Sequence, residues 1–183
     1  MNLGETYVID GIDRQLLGEL QSDSKRSLKD IGAAVGLSAP SVMERVRKLE
    51  NAGIIRGYHA LLDARKVGLD ISAFIGVSIS NPPELAEFET WVEEIPQILE
   101  CHHVTGGHTL LLKVKTRNTE DLEKLISRIR SMEGVASTET LVVLSTHTER
   151  VELALPPSES APEARRRKRA RRKPEPSQTL EEA

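Results

Sequence analysis

The 183-residue chain has one cysteine, Cys101. A single thiol excludes an internal disulfide framework and a four-cysteine zinc site, and makes a reducing cytoplasm the natural compartment. No apolar run approaches the ~20 residues of a membrane span. The opening residues, MNLGETYVIDGID, lack the basic start and apolar stretch of a secretory signal. A cytoplasmic protein with no membrane partner is therefore expected. Also missing are a nucleophile beside a base, a phosphate-cradling glycine loop and a cluster of acidic ligands. The sequence thus nominates no catalytic residue and no cofactor, and an enzyme is not the first reading.

Excess charge of one sign is missing too, since 25 Lys and Arg meet 28 Asp and Glu for a net charge of −3. The balance is uneven along the chain. From Pro156 onward there are eight basic residues (Arg165, Arg166, Arg167, Lys168, Arg169, Arg171, Arg172, Lys173) and five Glu, leaving 17 basic against 23 acidic residues elsewhere. An acidic body attracts nucleic acid poorly at long range, so DNA binding requires a local basic patch, and Arg45, Arg47 and Lys48 form the obvious one.

The chain is organised around Ser27 to Gly53, which reads as a helix-turn-helix. Leu28, Ile31 and Val35 recur at i, i+3 and i+7, with Ser27 and Asp30 forming a capping-box start. Gly36 suits the left-handed end of that helix, and Ser38 can cap the next. In the second helix Val42, Val46 and Leu49 make the apolar stripe. Ala39, Pro40, Ser41, Glu44, Arg45 and Lys48 lie mostly outside it, on a face that fits a major groove. A preceding helix begins near Asp10 and carries Ile12, Leu16, Leu17 and Leu20. After Gly53, the alternation in Ile54 to Leu61 predicts a short wing strand.

Polar residues from Asp63 to Asp70 predict a linker. Beyond it come a strand over Phe74 to Ile79, a helix bearing Leu85, Phe88, Trp91, Val92 and Ile95, and strands over Ile98 to Val104 and Leu110 to Val114. The latter two are joined by a turn at Thr105 to Thr109. A second helix after Asn118 and a strand over Val135 to Leu144 complete βαββαβ, the ferredoxin-like order, with Val151 to Leu155 as an edge strand. The expected domains are 1–62, winged helix-turn-helix; 63–71, linker; 72–155, ferredoxin-like; and 156–183, a basic tail whose composition predicts disorder. The fold class is α+β.

Several separated motifs in one order carry a family resemblance: IDRQLLGELQSDSKRSLKDIG, LSAPSVMERVRKLENAGIIRGYHALLD, ILECHHVTGG and MEGVASTETLVVL. From about Ile9 to about Leu155 the chain resembles the Lrp/AsnC, or feast/famine, transcriptional regulators. The resemblance implies a DNA-binding winged helix-turn-helix joined to a ferredoxin-like domain that dimerises and commonly assembles to octamers. In many members an amino acid binds between subunits. Carried over by position, the DNA-reading helix falls on Ala39 to Asn51, with Ser38 as its cap. The candidate DNA-binding residues are Ser38, Ser41, Glu44, Arg45, Arg47 and Lys48. Arg and Lys can hold phosphates, Arg can pair with guanine, and Ser or Glu can read base edges. Two alternatives stay open: Arg45 pairing with an acid on the first helix, and Glu44 being merely solvated. A symmetric dimer would span half-sites roughly 34 Å or a multiple apart.

The candidate effector-binding residues are Gly106, Gly107, His108 and Thr109. Where the family commonly has Gly, then an acidic residue or Asn, an aromatic and Asp, this turn has lost its acids. A carboxylate is what would hold an amino acid's ammonium group. The remaining choices are another way of holding a small molecule, or a tight turn with no ligand. Cys101, His102, His103 and His108 do not make a metal site, because neighbouring residues on a strand point to opposite faces; their protonation at a subunit interface is the alternative. For the basic tail, phosphate binding stands against RNA, an acidic protein surface or folding back on the acidic body. Two alternatives to a specific regulator are a tetrapyrrole decarboxylase built from the same modules and an architectural, DNA-wrapping protein with weak sequence preference.

Overall fold

The computed structural model describes residues 7–156, and the expectations for the basic tail lie outside the described residues. The chain divides into two compact units. One holds the chain through Tyr58 together with the segment from Val151, and the other is His59–Arg150.

In the first unit α1 (Gly11–Ser22), α2 (Leu28–Val35) and α3 (Ala39–Asn51) surround one apolar cluster. Asp10 caps α1 through a reciprocal box. Its carboxylate accepts from the Asp13 N–H at 2.7 Å, while the Asp13 carboxylate accepts from the Asp10 N–H at 3.1 Å. Ser27 accepts from the Asp30 N–H at 3.1 Å to start α2, and Gly36 ends it with φ 74°. The turn is closed by the Leu37 N–H donating to the Gly32 carbonyl at 2.8 Å. That closure requires glycine at 32, where a Cβ would lie 2.5 Å from the Leu37 carbonyl oxygen. Leu16, Ile31, Val42 and Leu49 are fully buried, and truncating Leu16, Ile31 or Leu49 to Ala costs about 2–5 kcal/mol.

Two expected strands are absent from the described residues. Ile54 and Ile55 do pack on the helical cluster, and both donate to the Leu49 carbonyl, at 2.9 and 3.2 Å. Residues 56–62 then run on without strand structure. Alternation assigns faces, but a strand exists only through a ladder, and this helical unit supplies no facing strand. Val151 to Leu155 is likewise not an edge strand of the sheet. It lies along α1 in the first unit, where the Gln21 side-chain amide donates to the Leu153 carbonyl at 3.3 Å and accepts from the Leu153 N–H at 2.8 Å. Arg14 Nη1 donates to the Pro156 carbonyl at 2.7 Å, and Leu155 joins the apolar cluster. An amide side chain offering one donor and one acceptor replaces the strand edge that the alternation suggested.

The second unit opens with a short 3-10 turn, Arg65–Val67, inside the segment expected to be a linker. It continues as β1 (Ile71–Ile79), α4 (Pro82–Glu93), β2 (Ile98–His103), β3 (Leu110–Thr116), α5 (Thr119–Arg130) and β4 (Val135–Val142). The strands form one antiparallel sheet in the order β2-β3-β1-β4, as the ferredoxin-like reading requires. Ala73, Ile75 and Val77 of β1 and Leu110, Leu112 and Val114 of β3 point to the helices, where they meet Phe88, Val92, Leu122, Leu125 and Ile129. Strand pairing places Phe74 and Gly76 beside Lys113, Leu111, Leu141 and Glu139 on the face opposite α4 and α5.

Candidate nucleic-acid interface and sensing loop

The sequence of α3 sorts its residues cleanly. Val42 and Leu49 are buried, while Met43, Glu44, Arg47 and Lys48 are exposed. At its N-terminus Ser38 accepts from the Ser41 N–H at 3.3 Å, and the two hydroxyls share a hydrogen bond at 2.8 Å. Glu44 and Lys48 pair at 2.8 Å across one turn, and that bond holds the Glu44 carboxyl below its usual pKa. Arg47 stands exposed on the neighbouring face, beside Met43, which is 58% exposed. Met43 was missed by reasoning from polar chemistry alone; its signal is a large apolar residue outside the buried stripe.

Arg45 stands apart from this set. Its Nη1 lies 2.7 Å from Asp10 Oδ2 and 2.7 Å from Asp13 Oδ1, so it fastens α3 to the start of α1. Asp13 is only 1% exposed and also accepts from the Tyr7 hydroxyl at 3.0 Å. Burial works against the charge on Asp10, but the Asp13 N–H and the Arg45 guanidinium outweigh it and lower its pKa. Burial first, and then the bond to Asp13, raise the Tyr7 phenol. Hydrogen bonds to the two carboxylates raise Arg45 in turn. Of the two roles open to Arg45, the ion pair with α1 is the one formed here.

In the second unit the turn after β2 brings its residues back onto β1. The Thr109 N–H donates to the Val77 carbonyl at 2.9 Å, and its hydroxyl accepts from the Ile79 N–H at 3.1 Å. His108 lies across β1 at Gly76, its Nε2 2.8 Å from Glu139 and its Nδ1 3.3 Å from the Ser78 hydroxyl. A Cβ on residue 76 would come within 2.4 Å of the imidazole, so the glycine makes room for the ring. Gly106 and Gly107 have open space where a side chain would stand. Gly76, Ser78 and Glu139 therefore belong with the four residues named from sequence. The turn lacks a carboxylate of its own, but Glu139 brings one to it from β4.

His102 and His103 face opposite sides of the sheet. His102 bonds Glu100 at 3.1 Å, and His103 bonds Glu89 on the helical side. Among the described residues no cluster of three or more metal-ligating side chains forms. A separate cavity of about 450 Å³ is lined by Phe74, Lys113, Lys115, Ser145, Thr148 and Glu149, with Lys113 2.9 Å from Glu149. No described helix is long and apolar enough to cross a membrane.

Two family models match separate stretches of the chain. The family model for the AsnC-type helix-turn-helix domain matches residues 9–50, and that for the Lrp/AsnC ligand binding domain matches residues 72–153. The HTH-type transcriptional regulator FL11 of Pyrococcus horikoshii is 33% identical over 147 residues, covering 80% of this chain and 97% of that protein. Two solved structures are also similar. One is a transcriptional regulator of Neisseria meningitidis in complex with L-Met, with a TM-score of 0.76 and 28% identity over 80% of this chain and 96% of that one. The other is a feast or famine regulatory protein of M. tuberculosis complexed with L-methionine, with a TM-score of 0.75 and 31% identity over 80% of this chain and 99% of that one.

Proposed function

Because the chain belongs to the Lrp/AsnC family of DNA-binding transcriptional regulators, we propose that α3 reads its operator and that the turn at Gly106 to Thr109 senses an amino acid. The observation that carries the first part is the sorting of α3, whose buried Val42 and Leu49 leave Ser41, Met43, Glu44, Arg47 and Lys48 facing outward. Ser38 and the free N–H groups at the helix start suit a phosphate. Lys48 and Arg47 add phosphate or guanine contacts, and Met43 suits a thymine methyl group. Arg45 acts at one remove, by holding the reading helix against α1.

For the effector, the similar structures that contain methionine support an amino acid. Glu139 takes the role of the acid missing from the turn and pairs with the ligand ammonium, which competes with His108 for that carboxylate. The N–H groups of Gly106 and Gly107 face the ligand carboxylate. The subunits associate through the sheet face opposite α4 and α5, where Phe74, Leu111 and Leu141 offer apolar surface. A homodimer results from that pairing, and further association gives an octamer. Cytoplasmic location accords with action on DNA.

The test is genome-wide recovery of bound DNA, comparing the intact chain with an Arg47→Ala, Lys48→Ala double variant, with and without methionine. A sharp motif lost in the double variant, and a methionine-dependent change in occupancy, are expected. A motif that survives in the double variant refutes α3 as the reader. Broad binding without a motif favours the architectural alternative.

A further inference from the structure

Between His59 and Arg150 nine basic residues stand against 14 acidic ones, yet four of the nine, Lys115, Arg117, Lys124 and Arg128, line one cavity of about 550 Å³. Asp121 is the only acid lining it among the described residues. Lys115 answers Glu149, at 3.9 Å, which leaves three cations. Helical spacing gathers these: Lys124 and Arg128 lie one turn apart on α5, and Arg117 just precedes the Asn118 cap. The remaining wall is apolar. Leu69 comes from the approach to β1, Leu99 from β2 and Leu125 from α5. Leu125 is buried, while Leu99 is 52% exposed.

The three cations are not equally committed. Arg117 holds Asp121 through Nε at 2.6 Å and Nη2 at 3.2 Å, and Lys124 holds Glu120 at 2.5 Å, one turn back on α5. Arg128 has no ion pair among the described residues. Its guanidinium lies over the Trp91 ring, 5.4 Å from the centroid. Stacking on an indole orients the guanidinium plane and leaves its N–H fork for another partner.

We propose that this cavity is a second ligand site, for a small organic phosphate. Arg128 holds the phosphate, with Lys124 and Arg117 beside it, and the body of the ligand lies against Leu69, Leu99 and Leu125. Charge selects phosphate over a lone carboxylate: the three cations exceed Asp121 by two, which a phosphate dianion matches. The volume is that of a small-molecule pocket. The sensing turn is elsewhere. β3 pairs Thr116 with Ile71 at the cavity end and Leu110 with Val77 at the turn end, about 20 Å away at ~3.3 Å per residue. The proposal therefore fails or succeeds independently of methionine sensing by the turn.

The protein's sole tryptophan, Trp91, reports on the site. ADP is the probe for the full chain, because it joins a ring-bearing body to two phosphates; pyrophosphate and adenosine each supply one half. Trp91 fluorescence should change saturably with ADP, and equilibrium dialysis should return the same dissociation constant. Pyrophosphate and adenosine should each bind at least about tenfold more weakly. Arg128→Gln and, separately, Lys124→Glu should each weaken ADP roughly tenfold or more, the loss of a hydrogen bond to a charged group. Lys124 is 65% exposed, so its substitution leaves the fold intact, and urea unfolding checks Arg128→Gln.

Absence of saturable ADP binding, or unchanged affinity in Lys124→Glu, overturns the proposal. Pyrophosphate binding as tightly as ADP also overturns it, by reducing the cavity to a charged patch. Methionine should leave ADP bound, and competitive displacement would mean one site instead of two. Duplex DNA offers the same phosphate chemistry, so a mixed-sequence duplex is titrated into the ADP complex of the Arg47→Ala, Lys48→Ala variant. ADP should stay bound; competitive displacement there assigns the cations to the DNA backbone and overturns the small-molecule site.

Discussion

Replacing Arg45 by alanine separates a residue that reads DNA from one that holds the reader in place. In the wild type a single Nη1 bridges Asp10 and Asp13 at 2.7 Å each. The Asp10 contact is half exposed and contributes at most about 1 kcal/mol. Asp13 is 1% exposed, and removing the cation from a buried pair costs about 3–5 kcal/mol. Two donors remain to Asp13, the Tyr7 hydroxyl and the Asp10 N–H, and Arg45 itself keeps 29% of its side-chain surface in water. Those residual bonds bring the expected loss down to roughly 2–3 kcal/mol for the helix-turn-helix unit. For a unit of this size that is a fall in Tm of about 8–24 °C. Helical circular dichroism in a thermal scan reads it, with Lys48→Ala as the comparison, expected within ~0.5 kcal/mol of wild type.

Acid supplies a second readout. The Asp10 carboxyl has its pKa lowered below 3.8 in the fold, so its contribution is fully present above the unfolded value and is lost as pH falls through the folded one. Arg45 is among the causes of that depression. The stability gap between wild type and Arg45→Ala should therefore narrow below about pH 4. An Arg45→Ala protein that melts with the wild type yet loses operator binding refutes the structural role and returns Arg45 to the DNA.

Gly32→Ala should destabilise the helix-turn-helix by about 2 kcal/mol or more, because its Cβ would stand 2.5 Å from the Leu37 backbone oxygen, which no side-chain rotation can move; urea unfolding measures it, and a neutral result refutes the close approach. Gly76→Ala should displace the His108 ring, freeing Glu139, and should tighten methionine binding several-fold by calorimetry while the sheet stays folded; unchanged affinity refutes competition between the imidazole and the ligand.

The fold was legible wherever a local rule decides it. Asp10, Ser27, Ser38 and Asn118 each cap the helix that their spacing predicts. The four strands of the sheet follow the change of period after Ser72. The failures concern strands that need a remote partner. Ile54 to Leu61 and Val151 to Leu155 alternate as well as β4 does, but alternation does not say whether a ladder awaits them. For the second segment the partner is a glutamine on α1, 132 positions away, and no local pattern signals such a pairing.

The candidate site divides along the same physical line. Ser38 and Lys48 could be placed because cap geometry and helical phase are local properties of α3. Arg45 has the same exposure pattern in sequence as Lys48, and only the approach of α1 distinguishes them, by bringing Asp10 and Asp13 to one side of the helix. The sensing turn repeats this. Read alone, Gly106 to Thr109 has lost its acidic groups, and the loss argues against an amino acid. Strand register restores one, since Gly76 faces Glu139 across β1 and β4 and leaves the gap in which His108 lies between them. A ligand can then shift DNA affinity only by its preference for one arrangement of this turn over another. On the reading proposed above, that preference would come from Glu139, if the ligand ammonium takes the carboxylate oxygen that the His108 imidazole now holds. A variant such as His108→Ala should therefore bind methionine and yet transmit less of that binding to DNA.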